Sequence, residues 1–128
     1  MIVFVACGAK KRDVTCRAED MYLGYYFRMN LIYAKKLCPA KIYILSAKYG
    51  VLELDDIIAP YNRNLNACRK QERKEWAYIC YQQLKSKNVN FDETAIFLGG
   101  QAYWQYLSKV FSNKEVPFAH KKMGNKLR

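Results

Sequence analysis

The chain has 128 residues and a formal net charge of +11, from 22 Lys and Arg against 11 Asp and Glu, with 52% hydrophobic residues. That length fits one folded domain with a core of its own, and no apolar run approaches the roughly 20 residues that a membrane span needs. The cationic excess points to a polyanionic partner, nucleic acid or nucleotide, against the plainer reading that the charge serves solubility.

The chain opens on the apolar run Met1 to Ala6, which breaks at Cys7 and Gly8 into Ala9-Lys10-Lys11-Arg12. Six residues rich in Val, Ile and Phe and ended by glycine predict a buried strand over about residues 2–7. With no basic leader before it and charge directly after it, the run does not read as a signal peptide, so a cytoplasmic location is expected. Gly8 lets the backbone turn or approach a ligand, and Lys10 and Lys11 place positive charge at the strand's carboxyl end. Cys7 sits where the strand meets these cations, a setting that favours a reactive thiol, although a small core residue is the plainer reading.

From about Leu23 the apolar positions Tyr22, Tyr25, Tyr26, Met29, Ile32, Tyr33 and Leu37 recur at helical spacing, and Pro39 closes the helix. The run Lys41 to Ser46 then predicts a second strand, parallel to the first across the helical crossover. It ends in Ala47-Lys48-Tyr49-Gly50, so that two lysine-bearing turns are expected side by side at one sheet edge. Val51 to Leu65 reads as a long loop carrying Glu53, Asp55 and Asp56 and the turn Ala59-Pro60-Tyr61-Asn62.

A helix is predicted from about Cys68 to Lys87, capped by Asn66, with Trp76, Ala77, Ile79, Cys80, Tyr81 and Leu84 inward. A third strand follows at 94–98. It is ended by Gly99 and Gly100 and continued by a helix with Tyr103, Tyr106, Leu107, Val110 and Phe111 inward. A diglycine between strand and helix offers free amide donors to an anion. A short edge strand is expected near 115–118, within a domain spanning 1–119, and residues 120–128 form a basic tail. The five cysteines show no CxxC pair or zinc spacing, so no metal and no cofactor is expected; the single histidine, His120, could complete a Cys-His couple only by folding the tail back to Cys7. The fold class is α/β: a single three-layer domain with a small, mostly parallel sheet flanked by helices.

Read together, the stretches Ala6-Cys7-Gly8-Ala9-Lys10-Lys11, Met21 to Phe27, Ile42 to Leu52 with Leu45-Ser46-Ala47-Lys48-Tyr49-Gly50 at its centre, and Ile58 to Asn62 resemble a family. The set is similar to small bacterial and phage proteins grouped under a YaaA-like or peroxide-stress label, over nearly the whole chain. The resemblance implies a compact α/β domain associated with DNA or nucleobase chemistry. It carries a more distant analogy to uracil-DNA-glycosylase-type and tRNA-deazaguanine enzymes. The family pattern around Pro60 reads Glu-Pro-Tyr-Asp, whereas Ala59 and Asn62 stand here, so both carboxylates are missing.

Two functions are open at this level. A glycosylase-like enzyme acting on a nucleobase or N-glycosidic bond would use Lys48 with Asp55 or Asp56, because that reaction builds positive charge on the sugar and negative charge on the departing base. Its ligand would be held by Cys7, Gly8, Lys10, Lys11, Ser46, Tyr49, Gly50, Tyr61, Asn62, Gly99, Gly100 and Gln101. The alternative is a non-catalytic nucleic-acid binder of stress or phage origin, or a protein-interaction module, on the same surface. No membrane partner is expected, and the oligomeric state is open.

Overall fold

The computed structural model describes residues 1–118; the basic tail and His120 lie outside them. Strand β1 (Ile2–Ala6) is buried along its whole length, which is why its sequence is continuously apolar rather than alternating. It forms the middle of a five-stranded sheet. On one side it pairs in parallel with β3 (Lys41–Ser46), itself paired antiparallel with β4 (Gly50–Glu53). On the other it pairs in parallel with β6 (Ala95–Leu98), followed by the short parallel β7 (Lys114–Glu115). A two-stranded ribbon of β2 (Cys16–Arg17) and β5 (Ile57–Ile58) lies apart from this sheet, and the one-turn helix α1 (Ala18–Met21) follows β2 directly.

Alternation along the strands divides the core in two. Ile2, Phe4 and Ala6 of β1, with Tyr43, Leu45, Ala95 and Phe97, pack against Trp76, Ala77, Cys80 and Leu84 of α3 (Lys70–Ser86). Val3 and Val5, with Ile44, Ile96 and Leu98, pack against Phe27, Leu31 and Ala34 of α2 (Tyr25–Lys36). Helix, sheet and helix make the three layers that the sequence predicts. Phe4 anchors the α3 side, its ring 4.8 Å from Phe97, 5.6 Å from Phe111 and 5.7 Å from Tyr43. Each such fully buried side chain contributes about 1.5–3 kcal/mol of burial free energy.

Several predicted details are corrected. The inward face of α2 is Phe27, Asn30, Leu31 and Ala34, whereas Tyr25, Tyr26, Met29, Ile32 and Tyr33 face outward. Tyrosines and Met29 tolerate a wet surface, and the compact row of Phe27, Leu31 and Ala34 makes the closer fit to the sheet. Ile79 is likewise exposed. Helix α3 starts at Lys70 rather than Cys68: the Arg69 N–H donates to Glu72 Oε1 at 3.2 Å, while the Asn64 side chain caps a separate 3₁₀ turn at Leu65–Ala67. The predicted last helix is broken into α4 (Gln101–Trp104) and a 3₁₀ turn at Leu107–Val110. The edge strand lies at 114–115, earlier than expected.

The region read as one long loop instead begins with β4. Gly50, at φ 76°, occupies the left-handed region, and a Cβ there would strike the Gln83 side chain. Gln83 of α3 accepts from the Val51 N–H at 2.7 Å and donates to the Tyr49 carbonyl at 3.0 Å. A side chain more than thirty positions away therefore closes the hairpin.

The chain leaves β1 for β3 on one side and later returns to β6 on the other, so the connections diverge between the carboxyl ends of β1 and β6. A crevice is expected at such a switch point. Gly99 allows the two ends to approach: its φ is 123°, and a Cβ on it would collide with that of Ala6. Gly99→Ala is expected to destabilise the protein by about 1–3 kcal/mol in urea unfolding, because it adds both backbone strain and an overlap. Gly100→Ala, with open space around it, is expected to change stability by no more than about 0.5 kcal/mol.

Candidate functional site

A cleft of about 320 Å³ opens at that switch point. Its floor is Ala6, Cys7, Gly8, Gly99 and Gly100; its walls are Tyr26, Phe27 and Asn30 from α2 and Gln101 and Trp104 from α4, with Phe118 also at its edge. Beyond the Cys7-Gly8 turn lies a second hollow of about 270 Å³, lined by Ala9, Lys11, Asn62, Arg63, Asn64, Asn66 and Tyr103. Both contain Cys7 and Gly8, so the two are lobes on either side of one turn. The first is walled by aromatic rings and two carboxamides. The second is walled by amides and two cations.

The turn is fixed from below. The Cys7 N–H donates to the Leu45 carbonyl at 2.9 Å, continuing the ladder one residue past β1. The Cys7 thiol donates to the Tyr103 hydroxyl at 3.5 Å, and this oxygen also accepts from the Leu65 N–H at 3.4 Å. Cys7 is half-buried, whereas Cys80 is fully buried and its thiol pKa is pushed up by desolvation.

The wall toward β3 is a hydroxyl cluster. The Ser46 hydroxyl donates to the Tyr61 oxygen at 2.9 Å and accepts from the Tyr49 N–H at 3.0 Å; the Tyr61 and Tyr22 hydroxyls lie 2.7 Å apart. Trp76 Nε1–H donates to the Ser46 carbonyl at 2.9 Å, so α3 holds the same residue from behind. The Lys11 ammonium lies 4.4 Å from the Tyr61 ring centroid and donates to the Ala9 carbonyl at 3.2 Å. Tyr49 meets Tyr61 edge to face, and its hydroxyl donates to the Ala59 carbonyl at 3.2 Å.

The structure thus brings together Cys7, Gly8, Lys11, Asn62, Gly99, Gly100 and Gln101 of the residues predicted to bind. It does not place Lys10, Ser46, Lys48, Tyr49, Gly50 or Tyr61 in either lobe. Lys10 points to solvent while its carbonyl accepts from the Leu23 N–H at 2.9 Å. Lys48 is exposed on the hairpin turn with its ammonium 5.2 Å from the Tyr49 ring centroid. Ser46, Tyr49, Gly50 and Tyr61 build the wall, and a lysine ammonium lies over each ring, Lys48 over Tyr49 and Lys11 over Tyr61.

Asp55 and Asp56 lie at the other end of the sheet. Because β4 runs antiparallel to β3, it carries the chain from Ser46 back beside Tyr43, and the acids follow where β3 begins. Asp55 is exposed and 3.4 Å from Arg17; Asp56 accepts from the Glu53 N–H at 2.8 Å. Glu53 is paired with Lys41 and Lys87, which hold its carboxyl below the usual range. Among the described residues, no Asp or Glu lines either lobe.

Sequence reasoning missed Tyr26, Phe27, Asn30, Arg63, Asn64, Asn66, Tyr103 and Trp104. Asn30 carried a signal: a polar residue among Phe27, Leu31 and Ala34 on one helical face.

Together these features define a doubly wound α/β protein with a two-lobed cleft at its switch point. The chain belongs to the family of unknown function DUF6884, which it matches over residues 2–128. No curated protein and no solved structure matches it. Among the described residues, no helix is long and apolar enough to cross a membrane.

Burial holds the phenols of Tyr22, Tyr61 and Tyr103 well above the ordinary value of 10.0, with neighbouring Cys7 as the next cause. A phenol that ionises more readily in the unfolded chain favours unfolding once pH exceeds the unfolded value, so this stability is complete below pH 10 and declines above it. In a spectrophotometric titration at 295 nm, three of the 11 tyrosines are expected to keep their protons through pH 10 and ionise only together with unfolding. Ionisation of all 11 at pH 10 with retained circular dichroism would contradict the buried cluster.

Proposed function

We propose that the protein binds a nucleotide unit of a nucleic-acid strand, with the base in the aromatic lobe and the phosphate in the cationic lobe. The observation that carries this reading is the shared floor: Cys7 and Gly8 belong to both lobes, one fitted for a flat ring with polar edges and the other for an anion. Lys11, one of the two lysines that the sequence assigned to binding, and Arg63 supply the charge of this lobe, and Lys10 does not line it. Tyr25 and Tyr26, packed edge to face at 5.4 Å and largely exposed, add a surface on which a neighbouring base can stack, which favours a strand over a free nucleotide. The net charge of +11 and the resemblance to YaaA-like proteins support the same class of partner.

On this reading any base-processing step falls at the Cys7-Gly8 turn. With base and phosphate in separate lobes, the N-glycosidic bond crosses above Cys7 and Gly8, within reach of Tyr103 and Lys11 rather than of Lys48, Asp55 or Asp56. A glycosylase-like activity is the second reading, favoured by the half-buried Cys7 thiol at this junction.

Binding is tested by fluorescence anisotropy with labelled single-stranded DNA and RNA. Affinity is expected to fall with added salt and to drop about tenfold in Lys11→Ala, Arg63→Ala and Tyr26→Ala, in line with about 1–3 kcal/mol for a stacked base or desolvated charge contact. Lys48→Ala, Asp55→Asn and Asp56→Asn are expected to bind within about twofold of the parent protein. Mass spectrometry of the incubated strand separates the two readings: a released base that disappears in Cys7→Ala selects the enzyme, and an unchanged strand selects the binder. Equal affinity for all variants would sink the cleft as the binding site.

A further inference from the structure

Asn30 is the one side chain in the cleft whose chemistry nothing in the fold explains. It lies in the second turn of α2, on the face that carries Phe27, Leu31 and Ala34 into the core, and it is only 5% exposed. Among the described residues its carboxamide has no hydrogen-bond partner, and it lines the cleft beside Tyr26 and Phe27. Its amide is not sealed from solvent, since among the described residues Arg73 Nε alone is a buried side-chain polar atom without a partner, so the carboxamide opens onto the cleft. A polar group on an otherwise apolar helix face, with its donor and acceptor free and turned into a cavity, is placed to meet a ligand.

We infer that Asn30 is the specificity-determining residue of the aromatic lobe and reads the edge of the bound heteroaromatic ring. This rests on the proposal that the lobe takes a base. A carboxamide presents one donor beside one acceptor in a plane, so it pairs with a ring edge that offers an acceptor beside a donor. The amino and ring-nitrogen edges of adenine and cytosine, and the lactam edges of uracil and guanine, all do so. Phe27 and Tyr26 from the same helix bound the ring's apolar surface, and Gln101 on the opposite wall supplies a second carboxamide. Asn30 therefore demands a hydrogen-bonding ring and rejects a purely apolar one or a bare sugar phosphate.

The experiment joins thermal unfolding to calorimetric binding of AMP, GMP, CMP, UMP and ribose 5-phosphate by the full chain. Asn30→Leu is nearly isosteric and removes the amide that faces the cleft. It is expected to leave the melting temperature within about 2 °C of the parent protein while weakening the nucleotides about tenfold or more. Asn30→Asp replaces the donor with a second acceptor. It is expected to weaken AMP, CMP and UMP more than GMP, whose ring nitrogen and amino group offer two adjacent donors. A structural role for Asn30 predicts a clearly lowered melting temperature in the first variant and no ranking among bases in the second. The inference is overturned if the parent protein binds nucleotides and Asn30→Leu binds them equally, or if ribose 5-phosphate binds as tightly as the nucleotides. Absence of nucleotide binding by the parent protein would instead overturn the underlying reading of the cleft.

Discussion

The close approach of Gly99 to Ala6 is the constraint on which the site depends. Two parallel strands whose connections leave in opposite directions open a crevice at their carboxyl ends, but only when nothing fills it from below. At residue 99 the backbone takes a conformation that side chains other than glycine rarely adopt, at the spot where a Cβ would meet the neighbouring strand. The floor of the cleft is consequently main chain and small side chains, and a ligand can reach the sheet end without displacing a core residue.

The second support is the hydroxyl cluster of Ser46, Tyr61 and Tyr22. Ser46 is fully buried at the end of β3, which would weaken the fold if its polar groups were unpaired; instead its hydroxyl and carbonyl are met by Tyr61, Tyr49 and Trp76. The motif Leu45 to Gly50 is thus explained as architecture. Ser46 ties α3 and the segment at Tyr61 to the end of β3, and Gly50 turns the chain so that Gln83 can lock the hairpin. The same arrangement presents the Tyr61 ring to Lys11, which keeps that cation near the Cys7 turn. Packing and charge placement are here one set of contacts.

Much of the fold was legible in the sequence because β1, β3 and β6 are buried on both faces. Their residues are apolar in unbroken runs, each stopped by a glycine, a serine or a turn. The parallel rule then brought the turns after β1 and β6 to one edge, and the structure agrees. Three features were not legible. The strand β4 is short and held by a glutamine far along the chain, so Val51-Leu52-Glu53 read as loop, and the reversal that takes Asp55 and Asp56 to the opposite end was lost with it. In α2 the outward stripe of tyrosines, Met29 and Ile32 is the more hydrophobic by composition, and it concealed the tighter inward row that contains Asn30. Which lysine of Lys10 and Lys11 faces the cleft is decided by the bridge of Lys11 to Tyr22 and by the Tyr61 ring, neither of which the local sequence specifies.

The central claim, that a nucleotide unit lies across the Cys7-Gly8 turn, is tested most directly by amide chemical-shift mapping on the isotope-labelled protein during titration with a short single-stranded oligonucleotide. The account predicts that Gly8, Asn30 and Gly99 on one side and Lys11, Arg63 and Asn64 on the other shift along a single saturation curve, while Asp55 and Asp56 stay still. Shifts confined to the outer face of α3, or separate curves for the two lobes, would contradict it.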